Sequence, residues 1–315
     1  MNIRNLFLLL YSRLGVDQLF LNDNPRVLFY HGVAQKVNDE RIETESISAA
    51  DFERQLKYIT RHFNPISADE FCDRFANQTW HGSEILMTFD DGYKNMLSTG
   101  LPLLEKYKVP FALFLTTDII ANDELFPTTI NRLVNLASSY GKTLGNAKII
   151  ADETSRLLKT EPIAEVDRMC AELLSKISGE EFQTLRAKYS SINPMNWDEA
   201  LEISKSPLCT IGSHCATHIC CHAKQAANEV RRQFLQSKNE IESHLGIQCK
   251  YLSYPNGNYT PQVMAIAKEC GYDMAFTTKY RTIIGPETNA MAIGRIYVPY
   301  DYNRFKYAIS RFPGR

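Results

Sequence analysis

The run Ile85-Leu86-Met87-Thr88-Phe89 ends in Asp90-Asp91-Gly92, so an interior strand stops on two adjacent carboxylates. The run has the length and apolar character of a buried strand. The two aspartates are too costly to bury unless something compensates them. Gly92 lets the chain turn sharply just past the acids, which leaves both at a strand's carboxyl end, where α/β folds keep their chemistry. Read as the N-cap of a helix starting at Tyr93, Asp91 is accounted for, but Asp90 is not. A bound cation is the simplest remedy for both.

Further ligands for such an ion occur in Gly212-Ser213-His214-Cys215-Ala216-Thr217-His218, again just after a short apolar run. Histidines four apart on a helical turn share a face, with Cβ atoms about 5–6 Å apart. The expectation is therefore a helical pair whose imidazoles reach one ion. With Asp91 added, His214 and His218 make a two-His, one-Asp set that leaves positions open for water, the catalytic rather than the structural type of site. Zinc suits this set; nickel, cobalt and iron also fit two imidazoles and a carboxylate. A third ligand at His222 is rejected on helical geometry, because eight residues rise about 12 Å.

The motifs Thr88-Phe89-Asp90-Asp91-Gly92, Ser213-His214-x-x-x-His218 and Ser253-Tyr254-Pro255-Asn256-Gly257 together resemble the polysaccharide deacetylase family, also called the NodB-homology or carbohydrate esterase 4 family. The resemblance runs from about Arg26 to Val298, with a less familiar stretch between about Asn122 and Met195. It implies a distorted, incomplete (β/α)7 barrel, an α/β fold, and hydrolytic removal of acetyl from an N-acetylated sugar. It also implies that Asp90 is the catalytic base and that Asp91, His214 and His218 hold the metal. Asn256, through its backbone N–H, and Tyr254 are assigned to the oxyanion and the substrate.

Two departures from the family pattern stand out. Ser253 occupies the position, two before the proline, where the family commonly carries an arginine. The usual C-terminal Leu-x-His motif is absent, since no histidine follows His244. The strand Val27-Leu28-Phe29-Tyr30-His31 ends in a histidine and resembles the branch of the family whose motifs are circularly permuted. His31 is thus the candidate general acid, with a strand-end histidine satisfied by backbone groups as the alternative. First and last strands of a barrel are neighbours, so a motif moved between chain ends keeps its place in space. The displaced arginine is assigned to Arg295, inside the apolar stretch Ile293–Val298. A charge there should be paired, with Asp90 or in a surface salt bridge.

Strands are expected at Val27–His31, Ile85–Phe89, Phe111–Thr116, Cys209–Ser213, Lys250–Tyr254, Met274–Thr278 and Ala292–Val298. Helices are expected at Ala50–His62, Ala68–Ala76 (with a Ser67/Glu70 capping box), Tyr93–Tyr107, Ala223–Leu245 and Pro261–Cys270. Between about 122 and 195 strand signals vanish and helical patterns such as Ala164–Ile177 and Glu180–Tyr189 take over. This reads as a helical insertion over the barrel mouth, either a substrate-selecting lid or a packing excursion. Residues 1–25 are set apart as an N-terminal helical segment, docked on the barrel or resting on the inner membrane surface.

The chain has 315 residues and a formal net charge of −1, which gives no basis for nucleic-acid binding. Eight cysteines without disulfide-like spacing fit a reducing compartment. The apolar stretch Leu6–Tyr11 is short for a signal peptide and far too short to span a membrane, so a cytoplasmic place is expected. Cys215, Cys220 and Cys221 are read as small apolar residues rather than a zinc site. Trp197, Asp198 and Tyr259 are read as packing or capping residues before sugar contacts. The expected substrate is an N-acetylated sugar, nucleotide-linked, lipid-linked or part of an oligosaccharide. Rivals are a formamide-type hydrolase, a sugar-binding module without catalysis, and a structural zinc protein.

Overall fold

A computed structural model describes residues 24–139, 153–279 and 284–310, together with Tyr11 and Gly15. The expected N-terminal segment therefore lies largely outside the described residues, as does part of the insertion.

The fold is a parallel sheet rolled into a nearly closed barrel. Its strands are β1 (Arg26–Tyr30), β5 (Glu84–Phe89), β6 (Phe111–Leu115), β7 (Cys209–Ser213), β8 (Tyr251–Ser253), β9 (Met274–Thr277), β10 (Ile293–Gly294) and β11 (Ile296–Tyr297). Their order around the sheet is β10-β9-β8-β7-β6-β5-β1-β11, and every pairing is parallel. A short β4 (Asn64–Pro65) adds to the start of β5. A separate two-stranded sheet pairs β2 (Gly32–Ala34) with β3 (Ser46–Ser48). Strands buried on both faces read as near-continuous apolar runs rather than alternating ones. That is the pattern of β5 and β6, which are buried throughout.

The expected single strand Ala292–Val298 is corrected to two. β10 pairs with β9 and β11 with β1, so this segment changes neighbours at Arg295 and closes the barrel there. Closure by so short a segment leaves each half only two residues of ladder.

Helices cover the outside. Ala49–His62 is capped by Ser48, and Ala68–Asn77 by Ser67, which accepts from Glu70 N–H. The expected capping box at Ser67 is half formed, because the Glu70 carboxylate turns instead to Arg74. The helix expected from Tyr93 starts later: Met96–Gly100 is a wide turn that runs into Leu101–Tyr107. Asn95 accounts for this, since it bonds Val33 N–H, the Ser46 hydroxyl and Ser191 O and ties the chain to β2, β3 and the insertion. The helix expected from Ala223 begins at Ala227, after a turn pinned by Gln225, whose amide donates to Cys220 O and Glu161 O.

Within the insertion, Pro127–Ser139, Ile163–Leu174 and Gly179–Lys188 are helical and bury their own apolar cluster, including Leu133, Val166 and Leu185. Among the described residues, no helix is long and apolar enough to cross a membrane.

Candidate active site

β5 delivers Asp90 and Asp91 to the carboxyl end of the barrel. Asp90 N–H donates to Tyr30 O on the neighbouring strand. Gly92 N–H then returns to Asp90 O, closing a three-residue turn around Asp91 at φ 77°. Aspartate is among the non-glycine residues that most often take a positive φ, and the turn separates the two carboxylates, Asp90 toward Arg295 and Asp91 toward the histidines.

Asp90 meets Arg295. The guanidinium donates from Nη1 and Nη2 to the two carboxylate oxygens at 2.8 and 2.6 Å. Its other N–H groups reach the Thr88 hydroxyl, the Ser253 hydroxyl and Thr277 O, so all five donors are engaged. Arg295 is 0% exposed, with its guanidinium over the Phe29 ring at 4.8 Å. A surface salt bridge is excluded by that burial. Burial alone would push the Asp90 carboxyl up, but Arg295 outweighs it and holds it well below the usual carboxylate range.

Asp91 faces the two histidines. His214 Nε2 and His218 Nε2 lie 3.4 and 3.5 Å from Asp91 Oδ1. That oxygen is buried and has no hydrogen-bond partner. Burial pushes the Asp91 carboxyl up to about 7, with Asp90 and Glu45 adding to the effect. Burial likewise lowers His214 to about 4 and His218 well below its ordinary value, so both rings are held neutral, the form that ligates a metal. His214 Nδ1–H donates to Ser253 O at 2.8 Å, fixing the ring with Nε2 free. Tetrahedral ligands about 2.1 Å from a zinc ion sit about 3.4 Å apart. The orphaned oxygen and the separations of the donors thus fit a divalent ion held by Asp91, His214 and His218.

The histidines do not lie on a helix. β7 ends at Ser213, and Cys215 and His218 both take left-handed φ values, 65° and 60°. The side chain of Gln233, on the helix Ala227–Leu245, organises this loop. Its Oε1 accepts from Ala216 N–H and Thr217 N–H, and its Nε2 donates to the Thr217 hydroxyl. The loop rather than a helical turn brings the imidazoles together, so helical rise is not the reason His222 stays away. His222 instead bonds Glu161 O of the insertion.

His31 stands just beyond β1. Its Nδ1 lies 3.6 Å from Glu45 Oε2, and Arg132 of the insertion donates to Glu45 Oε1 at 3.0 Å. Burial raises the Glu45 carboxyl, but His31 and Arg132 prevail and bring it down to about 2.

His31, Asp90, Asp91, His214, His218 and Asn256 line one cavity of about 280 Å3, roofed by insertion residues including Phe126, Leu158 and Val166. Phe126 sits edge-on to the His218 ring at 5.2 Å. Asn256 takes φ 54°, and its amide donates to Cys220 Sγ at 2.9 Å.

Tyr254 is corrected. Its side chain is fully buried beneath the cavity with its hydroxyl on Met291 O, so it supports the Pro-Asn-Gly turn rather than facing a substrate. Trp197 stacks on His244 and Tyr259 on Tyr254, both away from the cavity. Sequence reasoning missed Glu45, Arg132, Gln233 and Tyr297. The last is 53% exposed and lines the cavity beside Phe29.

The family model described as "Polysaccharide deacetylase" matches residues 77–275. The chain belongs to the polysaccharide deacetylase family. This places it by class among hydrolases of carbon–nitrogen bonds. The matched span contains Asp90, Asp91, His214, His218 and Asn256, while His31 and Arg295 fall on either side of it. Among solved structures, IcaB from Ammonifex degensii is similar at 19% identity and TM-score 0.60, over 91% of this chain and 97% of that one. The deacetylase PplD of Streptococcus pyogenes, solved with acetate, is similar at 13% identity and TM-score 0.60, over 88% and 93%. The deacetylase domain of BpsB from Bordetella bronchiseptica follows at 19% identity and TM-score 0.55, over 89% and 96%. At such identities the likeness concerns the fold. No curated protein sequence matches the chain significantly.

Proposed function

We propose that this polysaccharide deacetylase hydrolyses the acetamide of an N-acetylated sugar, releasing acetate and a free amine, with Asp90 as base and His31 as acid. The observation that carries the reading is the separation of the two aspartates. Asp91 Oδ1 is left to the two neutral imidazoles, and Asp90 is kept ionised by Arg295.

A divalent ion held by Asp91, His214 and His218 supplies Lewis acidity toward water and the acetamide carbonyl. Zinc suits the donors best, and nickel, cobalt or iron also fit. Asp90 takes the proton of the attacking water. Its bidentate clamp to Arg295 fixes the carboxylate in one orientation, so little reorganisation is needed at the moment of transfer. The Asn256 N–H, presented by a left-handed turn, faces the developing oxyanion. Protonated His31, oriented by Glu45, gives its proton to the departing nitrogen, which is a very poor leaving group as an anion. The residues roofing the cavity exclude water and select the sugar. We further propose that the substrate is a cytoplasmic intermediate of surface-polysaccharide or lipopolysaccharide synthesis, met by a protein in peripheral contact with the inner membrane surface.

The test is acetate release by metal-loaded protein from nucleotide-linked, lipid-linked and oligomeric N-acetylated sugars, alongside Asp90→Asn. The variant should lose turnover and keep its metal. Full activity in Asp90→Asn overturns the assignment of the base.

A further inference from the structure

Three of the four carboxylates on the cavity wall have a cation of their own. Asp90 is paired with Arg295 at 2.6 Å, Glu45 with Arg132 at 3.0 Å, and Glu161 with Lys224 at 2.7 Å. The fourth, Asp91, faces His214 and His218, with which it would hold a divalent ion. One cation on the wall is left over. Lys159, exposed in the turn before Pro162, lines the same cavity, and among the described residues its ammonium makes no hydrogen bond or ion pair. With a divalent ion in place the cavity carries an excess of positive charge. A cation left unpaired beside so many matched charges has a counter-ion that arrives with the substrate.

We infer that Lys159 is a specificity-determining residue that binds an anionic group attached to or adjoining the acetamido sugar, so that the preferred substrate is a phosphorylated or acidic N-acetylated sugar rather than a neutral one. The inference rests on the deacetylase reading and narrows it. An ammonium is a compact, strongly hydrated point charge with rotatable donors, suited to a phosphate that it meets from one side. Lys159 is exposed on a cavity wall that Asn256 and Thr278 of the barrel also line, which keeps the anion on the solvent side and leaves the metal ligands to the acetamide.

The test compares kcat/KM for acetate release from N-acetylglucosamine 1-phosphate, UDP-N-acetylglucosamine, an N-acetylated disaccharide bearing a uronate, and the neutral methyl glycoside of N-acetylglucosamine. Wild-type protein should favour at least one charged probe over the neutral one. Which probe it favours tells a phosphate source from a carboxylate. In Lys159→Ala the charged-over-neutral ratio should fall about tenfold, through KM, as expected for one partly exposed charge-assisted bond. Lys159→Arg should retain the preference, Lys159→Glu should reverse it, and added salt should weaken it in the wild type. Equal treatment of charged and neutral probes by the wild type, or an equal loss on both in Lys159→Ala, overturns the inference. If no probe releases acetate, the deacetylase reading has failed, and calorimetric titration with N-acetylglucosamine 1-phosphate decides the inference by itself. Binding weakened about tenfold in Lys159→Ala upholds it; binding unchanged in that variant, or none in the wild type, overturns it.

Discussion

Arg295 grips Asp90 with both terminal nitrogens, at 2.8 and 2.6 Å, from a position 205 residues further along the chain. Removing the arginine leaves a buried carboxylate with no counter-charge, which costs about 3–5 kcal/mol. Arg295→Met should therefore lower unfolding stability by that amount and abolish turnover. The depressed carboxyl contributes stability that is fully present above about pH 4 and fades as acid protonates it. The gap between wild type and variant in urea melts should accordingly narrow toward about pH 2. The double variant Asp90→Asn, Arg295→Met should recover much of the stability and none of the activity.

Glu45 behaves in the same direction. Its carboxyl is held down to about 2 by His31 and Arg132 against the effect of burial. The stabilisation it contributes is present above its ordinary range near pH 4.5 and is lost as pH falls toward 2. Glu45→Gln should then match wild type in melts at the acid end and be less stable at neutral pH. Its loss of kcat should exceed any change in KM, because His31 loses its orienting partner.

Chelation is expected to lower the melting temperature as well as the activity. Metal at a hundredfold excess over Kd stabilises the folded state by about 2.7 kcal/mol. Differential scanning of stripped and refilled protein should show this shift. In His214→Ala the shift should disappear, because the site keeps only two ligands.

At Gly257 a side chain has no room. Its φ is +69°, and an added Cβ would meet Thr278 Oγ1 at 2.0 Å and Thr278 N at 2.4 Å. Gly257→Ala must displace the turn that presents Asn256. Activity should fall at least tenfold with the metal content unchanged.

Tyr297 offers an exposed ring at the cavity edge, braced edge-on by Phe29 at 5.5 Å. A sugar stacking there would make Tyr297→Ala raise KM by about tenfold at constant kcat, whereas Tyr297→Phe stays close to wild type.

The barrel strands were legible because burial on both faces writes them as apolar runs, as in Ile85–Phe89 and Phe111–Leu115. The residues placed at the site stand at the ends of those runs, where chemistry-bearing side chains interrupt the apolar pattern. What escaped was fixed by contacts between distant segments. The spacing of His214 and His218 resembles a helical repeat, yet Gln233, reached only after the chain returns along a helix, shapes the loop that holds them. Glu45 sits in a polar stretch with no local signal, and only the fold sets it against His31 and Arg132. Tyr254 reads as a substrate contact from its motif, but its ring is buried and its hydroxyl donates to Met291 O.

The seam between β10 and β11 also has a consequence in time. A ribosome makes Asp90 long before the arginine that neutralises it, and β11 can dock beside β1 only after residues 296–297 have emerged. Until then the nascent barrel is an open sheet with an unneutralised acid near its edge. Synthesis of residues 293–297 therefore closes the cylinder and pairs Asp90 in one event, so a product truncated before Gly294 should be an open sheet whose Asp90 has lost its counter-charge.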